Sequence, residues 1–320
     1  MLYQSLKVVV RLAIKIFCRK IIINKPEVLK EKGPMLLACN HPNSFLDGVI
    51  FDTLFTENIY TLARGDAFVS GSIKKILLSL KLLPVYRVSE GVENLDSNYD
   101  TFDECKNIFR QNGIILIFSE GKCINEWHLR PLKKGTARLA IASWDENIPL
   151  RVLPVGINYS SFRRFSKNLF INFGEIIEKK EVEGNSDGIR YQLFNNLLEQ
   201  QLKRLVFEID KKDKEKQQKL LEIKSSTGKK ILLAVPAFIG WAVHLPVYLP
   251  VKNFTFKRTN LNDHYDSVLT AILLFAYPLY LMLITLLVFY FSGSWLAFLL
   301  LPLLPFTAWA YIQLKPQLDK

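Results

Sequence analysis

Cysteine is scarce in this 320-residue chain, and the four that occur, Cys18, Cys39, Cys105 and Cys123, show no paired spacing. That argues against a disulfide frame and against a zinc site, and for a reducing, cytosolic setting. Ribonucleoprotein blocks, zinc fingers and helix-turn-helix signatures are also lacking. A nucleic-acid partner is therefore not expected, although the net charge is +12. The first apolar stretch lacks a small-residue cleavage site, so a removed signal peptide is not expected. Charge itself is missing from two long runs, Ser267 to Phe291 and Trp295 to Leu314, which are separated by Ser292-Gly293-Ser294. Each run reaches the roughly 20 residues that a bilayer-spanning helix needs. Pro278, Pro302 and Pro305 are tolerable inside such helices. The expectation is a transmembrane helical hairpin over residues 267–320, with both ends on the cytosolic side.

Apolar residues make up 49% of the chain, enough for a sizeable core. Only +1 of the net charge lies after residue 266, which leaves +11 on residues 1–266. A basic surface without nucleic-acid motifs suits anionic lipid or a phosphorylated substrate. At the start, Lys7, Arg11, Lys15 and Arg19 recur every fourth residue in an otherwise apolar segment, Leu2 to Ile23. This spacing predicts one basic stripe on an amphipathic, membrane-associated helix within residues 1–33. A surface helix packed on the domain has the same pattern.

Residues 34–228 read as an α/β domain. Strand candidates are Met35 to Cys39, Ile59 to Ala63, Val85 to Val88, Ile114 to Phe118, Val152 to Asn158 and Leu169 to Phe173. Helical patterns cover Phe45 to Phe55, Ser72 to Lys81, Tyr99 to Arg110 and Thr136 to Trp144. Such alternation predicts an α/β sandwich with a substantial sheet. Ile189 to Lys224 is helical and charged. Ile231 to Val251 is uncharged but carries Pro236, Pro246 and Pro250 between flanking lysines, so residues 229–266 read as an interfacial or re-entrant segment.

Two motifs carry chemistry. In Asn40-His41-Pro42-Asn43-Ser44-Phe45-Leu46-Asp47, a histidine follows a strand and a carboxylate lies within reach of it. Neutral histidine takes a hydroxyl proton in the physiological range, and a carboxylate on its far nitrogen fixes the tautomer. Ser44 to Asp47 also reads as a capping box, and a helix starting at Phe45 aims its amides near His41, where a phosphate or oxyanion is stabilised. The second motif, Phe118-Ser119-Glu120-Gly121, ends another apolar strand and is followed by Lys122, Arg130, Lys133 and Lys134. Ser119 does not sit in a nucleophile elbow, because Ile117 stands where such an elbow has glycine.

Together these motifs resemble the first and third sequence blocks of the glycerolipid acyltransferase family, which esterifies glycerol 3-phosphate and 1-acylglycerol 3-phosphate. Leu83-Pro84-Val85-Tyr86-Arg87 is similar to the second block and Val152-Leu153-Pro154-Val155-Gly156 to the fourth, in the family's order, over roughly residues 34–160. The resemblance implies an acyltransferase-type fold. It also implies His41 and Asp47 as catalytic residues and a substrate-binding set of Asn43, Ser44, Arg87, Glu120, Gly121, Lys122, Arg130, Lys133 and Lys134. The partners would be acyl-CoA or acyl carrier protein as donor and membrane lipids, with no metal or prosthetic group. The protein would sit in a membrane, the cell inner membrane in a bacterium, with its catalytic domain on the cytosolic face. Two departures stand out. Five residues separate His41 from Asp47 where the family commonly has four, and Ser119 and Lys122-Cys123 replace the proline and the Thr-Arg pair of the usual third block. The altered block leaves open another acceptor, such as a monoacylated amino lipid. A non-catalytic membrane-tethered scaffold on the same fold is the remaining alternative, and turnover separates it from the others.

Overall fold

The computed structural model describes residues 2–86 and 97–319. Strands β1 (Cys18–Ile23), β2 (Met35–Cys39), β3 (Ile59–Arg64), β4 (Leu82–Val85), β5 (Ile114–Phe118), β6 (Arg151–Tyr159) and β7 (Lys167–Phe173) form a seven-stranded sheet in the order β1-β7-β6-β2-β5-β3-β4. Neighbours run parallel except β6 and β7. β2 lies at the centre with every residue buried, which is why it reads as an unbroken apolar run.

Alternation along β2 divides the core between the two faces of the sheet. Met35, Leu37 and Cys39 pack with helices α1 (Leu2–Phe17) and α2 (Phe45–Leu54) through Phe17, Ile50 and Phe51. Leu36 and Ala38 face α4 (Ser97–Arg110), α5 (Gly135–Asp145) and α6 (Asp187–Leu205), meeting Phe109, Ala140 and Leu198. The result is a helix–sheet–helix sandwich. α3 (Gly71–Ser79) bridges β3 and β4, and α7 (Lys214–Leu221) follows α6.

The N-terminal segment departs from its expected form. The helix stops at Phe17, and Cys18 to Ile23 add a parallel edge strand to β7. Pairing of β-branched Ile21 to Ile23 with β7 outweighs the helical periodicity there. The basic stripe is divided: Lys7 is buried, whereas Arg11 and Lys15 stay exposed. Lys7 Nζ donates to the carbonyl of Glu57 at 2.9 Å and Arg11 Nε to that of Thr53 at 2.6 Å, so both satisfy carbonyls around the end of α2. Val8, Val9 and Leu12 face outward. β4 also begins three residues earlier than the sequence predicts. Lys81, in a left-handed turn at φ 64°, sends the chain directly from α3 into the strand. Val88, the expected end of that strand, lies outside the described residues.

Three segments are long and apolar enough to cross a membrane: α8 (Thr227–Thr259), α9 (Tyr265–Ser292), and residues Trp295–Leu314, which end in α10 (Leu300–Leu314). α9 and α10 form an antiparallel hairpin whose two ends meet the α/β domain. Asp266 at the head of α9 bonds Lys167, and Gln317 beyond α10 accepts from Asn168 and from the Ile223 amide. α8 is one helix with Pro236, Pro246 and Pro250 inside it. Both of its ends are held on the same domain. Ser225 before it bonds Arg19, and the Asn260 carbonyl after it accepts from Arg163. A helix crossing a hydrocarbon layer about 30 Å thick would leave one end on the far side, an arrangement that two tethers to one domain do not fit. Gly240 marks its crossing of α10, where a Cβ would lie 2.1 Å from the carbonyl oxygen of Thr307.

Candidate active site

The site assembles where neighbouring strands β2 and β5 end, since in-register pairing of Cys39 with Phe118 releases His41 and Glu120 side by side. Carboxyl ends of parallel strands are the usual ligand-binding edge of such sheets. Asn40 sets the exit of β2. Its amide donates to the Ile157 carbonyl at 3.0 Å and accepts from the Ile157 N–H at 2.8 Å, which continues the β2–β6 ladder with a side chain.

His41 stacks on Phe118, ring centroids 3.8 Å apart, and its Nδ1 lies 2.9 Å from Asp47 Oδ2. Asp47 is completely buried, and two further donors reach its carboxylate: the Asn43 N–H at 2.8 Å and the Tyr159 hydroxyl at 2.6 Å. A carboxylate that accepts from Nδ1 keeps the proton there and leaves Nε2 with the lone pair. The His41 ring is 15% exposed, enough for a substrate hydroxyl to reach it. Burial and the nearby Asp47 charge hold the Tyr159 phenol well above its ordinary value, so it stays a donor.

Sequence reasoning brings His41 and Asp47 together correctly, but the cap between them differs. Ser44 adopts φ 54° and its side chain makes no capping bond. Its Oγ lies 2.5 Å from His264 Nδ1. The N–H groups expected to welcome an anion are taken. Ser44 N donates to Cys123 Sγ at 2.8 Å and Leu46 N to Ser267 Oγ at 3.1 Å, while Asn43 N is on Asp47. The Asn43 side chain is buried against Asp266. Asn43 and Ser44 therefore face the head of α9.

Glu120 is a buried brace. One oxygen accepts from the His41 N–H at 3.0 Å and the other from the Arg130 N–H at 3.0 Å. Burial pushes its carboxyl up to about 7, against the lowering pull of these two N–H bonds. Gly121 has φ +67°, and a Cβ there would lie 3.0 Å from Lys133 Cγ, so glycine lets the Lys133 stem lie over the turn. Lys122, Lys133 and Lys134 are exposed. Among the described residues none of them has an ion-pair partner. Arg130 pairs with Glu126 at 2.9 Å. Arg87 lies outside the described residues. Burial raises the thiols of Cys39 and Cys123 far above their ordinary value, so neither offers a thiolate.

Residues 20–158 match the family model described as Acyltransferase. This segment of the chain is similar to that family. No curated protein matches the sequence. Among solved structures, the chain is similar to the 1-acyl-sn-glycerophosphate (LPA) acyltransferase PlsC from Thermotoga maritima, with a TM-score of 0.43 and 14% identity over 58% of this chain and 70% of that one. The matched segment contains His41, Asp47, Glu120 and Gly121, and it ends one residue before Tyr159.

Sequence reading missed Asn40's clamp, Tyr159, and the Asp263 to Ser267 contacts. Only for Asn40 was there a signal, its place beside His41 at a strand end. Tyr159 lies 112 positions from Asp47, and no motif spans that gap.

Proposed function

We propose that this protein transfers a fatty acyl group from acyl-CoA or acyl carrier protein to a hydroxyl of glycerol 3-phosphate or 1-acylglycerol 3-phosphate at a membrane surface. The observation that carries this reading is the His41–Asp47 pair, 2.9 Å apart, built into an acyltransferase domain with Asp47 fully buried and the imidazole reachable. As the acceptor oxygen bonds to the thioester carbonyl carbon, its proton passes to His41 Nε2. The tetrahedral adduct then collapses, the carbon–sulfur bond breaks, and the imidazolium returns the proton to the departing thiolate. Asp47 supports the imidazolium that forms between these steps. Thiolates leave readily, so the step draws on no metal or prosthetic group.

The ammonium groups of Lys122, Lys133 and Lys134 supply the positive field for an acceptor phosphate, together with Arg87. The hairpin of α9 and α10 anchors the domain to the bilayer, on the cytosolic face where acyl thioesters are found. A second acceptor class, a monoacylated amino lipid, is favoured by the third block. The usual arginine is replaced by Cys123, and its sulfur is engaged by the Ser44 N–H.

The test is direct. The full chain, purified in detergent, is offered both donors against a panel of phosphorylated and amino-lipid acceptors, and products are read by mass spectrometry. Esterified glycerol phosphates are the expected product. Absence of acyl transfer from either donor to any acceptor refutes the reading, and product confined to amino lipids moves the acceptor.

A further inference from the structure

The residues that lead into α9 touch the catalytic loop at several points across more than 130 positions of sequence. Asp263 Oδ1 accepts from the Asn125 N–H at 3.1 Å, and the Asn125 side chain donates to the Pro42 carbonyl at 2.7 Å. His264 meets Ser44, and Ser267 accepts from the Leu46 N–H. Deepest of all, Asp266 Oδ2 accepts from the Asn43 amide at 2.7 Å and from Lys167 on β7. Asn43, Lys167 and Asp266 are all fully buried. Lys167 also lies over the rings of Phe17 and Tyr159, 5.3 and 5.7 Å from their centroids.

A buried ammonium–carboxylate pair is a poor source of stability, because removing two charges from water offsets most of their attraction and a packed apolar pair commonly does as well. What such a pair provides is direction. Here it fixes the Asn43 side chain, and the N–H of the same residue donates to Asp47 Oδ2. The contacts therefore run without a gap from the head of a membrane hairpin to the orienting carboxylate of the dyad.

We propose that Asp266, held by Lys167, is a positioning residue that sets the His41–Asp47 dyad through Asn43, so that the dyad is in register only while the head of the α9–α10 hairpin is seated in the acyltransferase domain. The inference rests on the acyl-transfer reading for its kinetic test, but not for its chemical one. Sub-ångström displacement of a catalytic pair suffices to reduce turnover greatly, whereas the proposed phosphate contacts lie on Lys122, Lys133 and Lys134.

The experiment compares the full chain in lipid vesicles with Asn43→Ala, Asp266→Asn, their double variant, and the charge-free pair Lys167→Met/Asp266→Leu. The expected result is a kcat lower by roughly ten- to a hundredfold in each, with both Michaelis constants unchanged and the double variant no worse than the poorer single one. The charge-free pair should melt near the wild-type temperature and still show the loss, which separates positioning from mere folding. Wild-type kcat in that pair at normal melting temperature overturns the proposal, as does additivity in the cycle. Carbethoxylation of His41 by diethyl pyrocarbonate, followed by peptide mass spectrometry against pH, reads the dyad without turnover. Its midpoint should move upward in the variants as the displaced Asn43 N–H donates less well to Asp47, whose carboxylate then favours the charged ring. An unmoved midpoint overturns the proposal even if wild-type turnover fails and the acyl-transfer reading falls with it.

Discussion

Replacing Tyr159 by phenylalanine removes one oxygen and leaves the ring in place, which makes it a sharp probe of the dyad. The hydroxyl donates to Asp47 Oδ1 at 2.6 Å, and both groups are completely buried. Hydrogen bonds to a charged group contribute about 1.5 to 3 kcal/mol, and here no water replaces the lost donor. Stability should fall by about that amount. Catalysis should change in a particular direction. With one donor fewer, the Asp47 carboxylate leans harder on His41 and favours the charged ring, while the reaction requires the neutral one. The acid limb of kcat/KM should therefore move to higher pH. At about 1.4 kcal/mol per unit, the bond energy bounds the movement at roughly one to two pH units. Above the limb, kcat should stay within about tenfold of wild type, since positioning by the Asn43 N–H and His41 Nδ1 survives. Initial rates of thiol release across pH, with melting followed in parallel, provide the measurement. A limb that stays in place or moves to lower pH refutes the assignment of Tyr159 as a support of the dyad.

His41→Ala should remove turnover by roughly 100- to 10,000-fold while the protein stays folded and membrane-bound, and Asp47→Asn should approach that loss by favouring the wrong tautomer; wild-type rates at equal expression would exclude this mechanism. If Arg87 holds the acceptor phosphate, Arg87→Ala should raise the acceptor Michaelis constant far more than the donor's, by the equivalent of about 1.5 to 3 kcal/mol, and lysine should rescue only in part. An unchanged acceptor constant moves phosphate binding to Lys122, Lys133 and Lys134. Glu120 gives a pH signature in stability. Its folded carboxyl is raised from 4.5 to about 7, so between those values the folded protein holds a proton that the unfolded chain has released. The contribution of this group is present below that window and is lost as pH rises through it, with a slope of at most about 1.4 kcal/mol per unit. Glu120→Gln should lower melting temperature by disturbing one N–H bond and should flatten its decline between pH 5 and 7; an unchanged decline would assign that slope to other groups.

The strands of the candidate site's edge were legible because β2 and β5 are buried on both faces, so they appear as short apolar runs ending just before Asn40 and Ser119. The dyad was legible because its members lie six positions apart. Tyr159 and Asp266 were not, since each acts on the catalytic loop through contacts that only the sheet order and the return of the hairpin create. Asp263 and Asp266 illustrate the limit. As charges beside an uncharged run they read as flanks of a membrane helix, whereas the fold carries Asp266 into the interior against Lys167. The stripe of Lys7 and Arg11 shows the same limit in part. A spacing of four reports that these side chains share a face, but the carbonyls of α2 decide which way that face points.

The prolines of α8 acquire a meaning from its ends. Length and apolarity alone would send 33 residues across a bilayer, about 50 Å at 1.5 Å per residue. Both ends are instead tied to the α/β domain, at Arg19 and at Arg163. Inside this helix Pro236, Pro246 and Pro250 each free a carbonyl and permit a bend. Its outer side presents Leu232, Val235 and Phe238, while Leu233 and Ala237 pack on α10. The exposed apolar arc thus begins at the domain and ends at the residues that brace the catalytic loop. On the proposed function, this arc lies in the lipid surface beside the site, and a lipid acceptor need not leave the bilayer to bring its hydroxyl to His41.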